Sequence, residues 1–78
     1  MKTENIVRKL NDLGYNDIKI VGSNVKVNIG FMAKNWKKSD CATERTYFDD
    51  LKLNLLNWCS IHNTSGRREG GSFIIYGE

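Results

Sequence analysis

The chain has no proline, one histidine and only two cysteines, and each scarcity closes off a class of protein. Two thiols are too few for a disulfide scaffold, so Cys41 and Cys59 read as reduced. With His62 alone, any Cys–His or Ser–His pairing needs a coincidence of the fold, and no nucleophile elbow, Walker loop or dinucleotide fingerprint is present. GRREGG is rich in glycine but precedes a strand instead of opening a helix, so it lacks the geometry that cradles phosphate. Cys59 and His62 are three apart and Cys41 offers a third ligand, yet a structural zinc site wants four in recognisable pairs. The reading is therefore not an enzyme, with no cofactor and no metal.

Long apolar runs are missing too. Nothing approaches the roughly 20 residues that span a bilayer, and MKTENIVRKL interleaves charge with apolar residues instead of building the apolar core of a signal peptide. A cytoplasmic setting without a membrane partner is expected. The lack of proline, together with the weight of Asn, Lys and Ile, points to A/T-rich codons of the kind found in a low-GC bacterium or a phage.

What is present suffices for one domain, residues 1–78. Apolar residues at 40% and charged residues at 27% favour folding over disorder, and 78 residues make a single modest core without a roomy internal active site. The net charge of +3 is unevenly placed. No acid lies between Asp17 and Asp40, where Lys19, Lys26, Lys34, Lys37 and Lys38 all fall. From Asp40 to Asp50 the balance reverses, with four acids against Arg45 alone.

The elements read as follows. Thr3 as N-cap, Glu4 at the positive end of the dipole and the stripe Ile6, Val7, Leu10, Leu13 predict a first helix, which Gly14 closes in the left-handed conformation with Tyr15 folding back on Leu10. DIKIVGSNVKVNI predicts a hairpin with a type II′ turn at Gly22-Ser23. Val21 then pairs with Asn24, Ile20 with Val25 and Ile18 with Val27. Ile18, Ile20, Val25, Val27 and Ile29 share the face that covers the helix, while Lys19 stands opposite Lys26 on the other. ATERTYF, residues 42–48, is open between strand and helix. Its Thr, Tyr and Phe content, and a staple of Phe48 on Leu53 around an Asp49 N-cap, favour a strand followed by a helix. Leu51, Leu55, Trp58, Cys59 and His62 then line one helical face. NTSGRREGG reads as a loop and SFIIYG as a last strand. The fold class is α+β in the order α-β-β-β-α-β, a small antiparallel sheet with two helices on one face, and no internal repeat is visible.

ENIVRKLNDLGYNDIKIVGSNVKVNI, residues 4–29, resembles the opening of HicA-type toxins, small ribonucleases with a double-stranded-RNA-binding-like fold. That family carries its catalytic histidine just after the Gly-Ser, where this chain has Asn24. The resemblance therefore implies the fold without the nuclease. Double-stranded-RNA-binding domains place lysines at the start of their second helix, where Asp49 and Asp50 stand here. The order of elements, with MKTENIVRKLNDLGY running into a hairpin, is also similar to small phage inhibitors such as anti-CRISPR proteins. That implies a protein that docks on a larger machine.

Trp36 lies in GFMAKNWKKSD among Lys34, Lys37 and Lys38. Either the ring is exposed to stack on a base or anchor an interface, or it folds back to plug the end of the core. Arg67 and Arg68 add charge in a later loop. The expected activity is binding: a regulator or inhibitor that docks on a larger protein or ribonucleoprotein assembly through Lys19, Lys26, Lys34, Trp36, Lys37, Lys38, Arg67 and Arg68. The alternative is an RNA- or single-stranded-DNA-binding module on the same surface. An uncovered edge strand leaves both monomer and homodimer open.

Overall fold

The computed structural model describes residues 1–15 and 17–78. Helix α1 spans Thr3–Asp12 and carries Ile6 and Leu10 into the core. Thr3 is its first residue and not its cap; the Thr3 hydroxyl instead donates to the Ser23 carbonyl at 2.7 Å, tying the helix to the tip of the following hairpin. Gly14 takes φ +96°, and the Tyr15 N–H donates to the Leu10 carbonyl at 3.0 Å, so the chain turns back as the sequence implies. Leu13 departs from the expected stripe: it lies past the helix end and is exposed.

Strands β1 (Ile18–Val21) and β2 (Asn24–Val27) pair in the register that the turn chemistry predicts, with Ile18 opposite Val27, Lys19 opposite Lys26, Ile20 opposite Val25 and Val21 opposite Asn24. Gly22 alone in the turn has positive φ, +65°, as a type II′ turn requires. Val25 and Val27 are fully buried, but Ile20 is 59% exposed because β1 is an edge strand beyond the cover of the helices.

The chain next forms a short helix α2 (Ile29–Ala33), capped by the Asn28 carboxamide on the Phe31 N–H, and a 3-10 turn over Trp36–Lys38. The stretch 42–48, open between strand and helix with strand favoured, resolves to helix from Glu44 onward. Helix α3 runs Glu44–Ile61, opened by a capping box in which the Thr46 N–H donates to the Thr43 hydroxyl and the Thr43 N–H to the Thr46 hydroxyl. Four residues of β propensity yield here to the helical spacing of Phe48, Leu51, Leu55, Trp58 and Cys59, which packs one continuous face on the core. Leu53, placed in a staple by a later helix start, is instead exposed.

The third strand comes after α3. Residues read as loop form β3 (Gly66–Glu69), which pairs with β4 (Ser72–Ile75) through a Gly70-Gly71 turn whose first glycine has φ +59°. The sheet is antiparallel throughout, in the order β1-β2-β4-β3. Val25, Val27, Phe73 and Ile75 on one face meet α1, α2 and α3 in a single core. The architecture is α+β, as expected, with one more helix than the sequence indicates and the same number of strands, the one expected before the long helix being replaced by β3 after it.

The chain also repeats itself. Helix, left-handed residue and II′-type hairpin occur twice, in α1-β1-β2 and in α3-β3-β4. Leu10 accepts from the Tyr15 N–H as Cys59 does from the Thr64 N–H, Gly14 and Asn63 (φ +53°) hold the same place, and Val25 and Val27 match Phe73 and Ile75. Lys26 stands opposite Ile74 where the two halves meet, so the sheet has an approximate twofold relation. The side chains at matching positions share burial and little else, which hid the repeat from the sequence.

Candidate functional site

The basic residues singled out in the sequence divide among three places. Lys19, Lys26 and Arg67 lie on the face of the sheet away from the helices. Strand register puts them in one row, Lys19–Lys26–Ile74–Arg67, that crosses all four strands. Tyr76, two residues beyond Ile74 and so on this face, is 38% exposed. Phe73 points the other way and is fully buried. Around the two lysines Asp17, Asn28 and Ser72 complete a shallow cleft of about 210 Å³. The face is thus basic along its middle row, with Asp17 at one end. Glu69 stands on the same side, 3.6 Å from Arg67, the single ion pair between side chains among the described residues.

Lys34, Trp36, Lys37 and Lys38 form a second group. The segment that carries them packs on α3, through α2 and through the 3-10 turn. Trp36 is half-buried but does not belong to the hydrophobic core or to the partly buried residues packed on it. The Lys37 ammonium lies 5.9 Å from the centre of its ring, and Lys34, Lys37 and Lys38 are exposed. The turn itself is fixed: the Ser39 N–H and hydroxyl both donate to the Trp36 carbonyl, at 2.9 and 2.6 Å, and the Ser39 hydroxyl accepts from the Cys41 N–H. Neither simple expectation for Trp36 holds in full, since the ring is partly covered without plugging the core. Phe31, 56% exposed and one helical turn before Lys34, extends this surface; it went unnoticed in the sequence because α2 was not legible there.

Arg68 belongs to neither group. Its neighbour across the ladder is Phe73, so it leans to the helical side, where its guanidinium lies 5.8 Å from the ring centre of Phe48.

The groups that bear chemistry are placed as follows. The Cys59 thiol is buried, and burial pushes its pKa from 9.0 up to about 11, the reverse of an activated nucleophile. The His62 imidazole lies on the Trp58 indole, with ring centres 4.4 Å apart. Cys41 is half-buried near the start of α3. Among the described residues no three of His, Cys, Asp and Glu converge as a metal site would need, and no helix is long and apolar enough to cross a membrane. The Asn24 carboxamide oxygen accepts from the Gly77 N–H at 3.4 Å. The chain matches no family model, no curated protein and no solved structure.

Proposed function

We propose that the protein is a small binding protein, a phage-type or accessory regulator that docks on a larger protein or ribonucleoprotein assembly through the Trp36 turn and its lysines. The observation that carries this reading is a tryptophan outside the core, held in a hydrogen-bonded turn with an ammonium group beside its ring. Aromatic side chains of this kind anchor interfaces because they bury a large area at small entropic cost, while the surrounding cations select an acidic partner surface. Exposed Phe31 widens the apolar contact.

A second reading rests on the other face: Lys19, Lys26 and Arg67 in one row, with Tyr76 beside it, suit a single strand of RNA or DNA. One titration separates the two. Mixed-sequence RNA and single-stranded DNA are added at low and at near-physiological salt while tryptophan emission and anisotropy are followed. A complex that weakens steeply with salt and is lost in the variant Lys19→Glu/Lys26→Glu favours the sheet face, because each phosphate contact releases a counterion. Absence of binding at low salt favours docking on protein. Charge reversal at Lys34, Lys37 and Lys38 that leaves capture of the partner unchanged overturns the docking reading.

A further inference from the structure

Strand β3 is the last in the sheet, and an open groove lies between it and helix α3. The backbone of β3 offers itself to that groove in a defined pattern. The Tyr76 N–H donates to the Ser65 carbonyl, so in an antiparallel ladder Ser65, Arg67 and Glu69 bond to β4, while Gly66 and Arg68 turn their N–H and C=O groups outward. The far wall is the flank of α3, where Leu53 is 55% and Leu56 40% exposed. Arg45 and Lys52 on the helix, with Arg68 on the strand, line the same groove against Asp49 alone, while Arg67 borders it with its side chain on the opposite face of the sheet. Glu69, at the strand's end, offsets Arg67 only across an exposed 3.6 Å contact.

An unpaired edge beside a half-apolar helix flank is the arrangement that receives an extended peptide as an added strand: backbone bonds hold it, and the helix reads alternate side chains. The excess of cations selects the sign of the guest. We infer that the β3–α3 groove binds an extended, acidic segment of a partner protein that also carries leucine or valine, by strand addition to Gly66 and Arg68. The site is separate from the Trp36 turn and specifies a partner chemistry that the turn does not.

The test uses fluorescein-labelled octapeptides of alternating glutamate and valine, with a lysine–valine peptide as control. Anisotropy is expected to rise with the acidic peptide alone, and amide exchange at Gly66 and Arg68 to slow in the complex. Arg68→Pro removes an outward N–H without touching the β4 ladder, and is expected to weaken binding at least about tenfold. Arg68→Ala, which keeps the N–H, should weaken it less. Circular dichroism of both variants establishes that they fold. Lys34→Glu/Lys37→Glu/Lys38→Glu should bind the peptide as the parent does, which separates this site from the docking turn. No binding of the acidic peptide up to millimolar concentration, equal binding of the lysine peptide, or binding indifferent to Arg68→Pro would each overturn the proposal. So would self-association of the unliganded chain that Arg68→Pro abolishes, since the edge would then belong to a second copy.

Discussion

Gly66 presses its backbone against Cys59: a β-carbon on Gly66 would stand 3.0 Å from the Cys59 Sγ, and 2.6 Å from the Phe73 ring. The close approach lets β3 start directly under the end of α3. Gly66→Ala is therefore expected to lower stability by about 1 to 3 kcal/mol, the range for overpacking a filled core, and urea unfolding measures it. Gly70→Ala, where nothing lies within reach of a β-carbon, isolates the cost of positive φ alone.

Cys59 makes stability depend on alkaline pH. The folded state holds the thiol proton more tightly than the unfolded chain does, so stability is full below pH 9 and falls as pH rises toward 11. Tyr15, whose pKa is raised by burial and then by Tyr47 and Asp50, acts in the same direction. Cys59→Ala should flatten the decline between pH 9 and 11 while lowering stability at neutral pH. Urea midpoints across that range give the result, and a thiol reagent at pH 8 should label Cys41 well before Cys59.

The two tryptophans should part company. Trp58 is 8% exposed within the core, and its replacement by alanine should cost about 3 to 5 kcal/mol. Trp36→Ala should cost less than about 1 kcal/mol, as at a site away from the core. Equal losses in thermal unfolding would make Trp36 a structural residue and remove the main support for the docking surface.

Lys19 and Lys26 face one another, and among the described residues neither makes an ion pair. Lys26→Glu replaces a repulsion by an attraction, and should stabilise the hairpin by a few tenths to about 1 kcal/mol at low salt. The gain should shrink as salt is added, since the pair is open to water. A loss of stability instead would mean that the two ammonium groups are already accommodated.

The legible parts of this fold were local. The β1–β2 register followed from period-two alternation around a Gly-Ser turn, and the left-handed Gly14 with Tyr15 folding back on Leu10 followed from the helix end. Each is decided within about a dozen residues. The Thr43 cap was within reach as well, but Thr46 stands where a capping box usually has Glu or Gln, and the aromatic pair Tyr47-Phe48 weighed toward a strand. The Gly-Gly turn at 70–71 is a hairpin signal of the same kind as Gly22-Ser23. Arginine-rich residues before it, in place of alternating apolar ones, concealed β3.

Alone, the sequence determined that the chain is α+β, that Trp58 is core, that Lys19 opposes Lys26 and that positive charge gathers before Asp40. Tertiary structure decided which of those charges act together. Pairing of β2 with β4 joins segments far apart in the chain, and only that contact sets Lys19, Lys26 and Arg67 in one row while sending Arg68 to the other side. It also leaves β3 as an edge beside α3. Alternation along a strand fixes a side chain to one of two faces, but which strands are neighbours, and which edge stays bare, depends on how the helices cover the sheet.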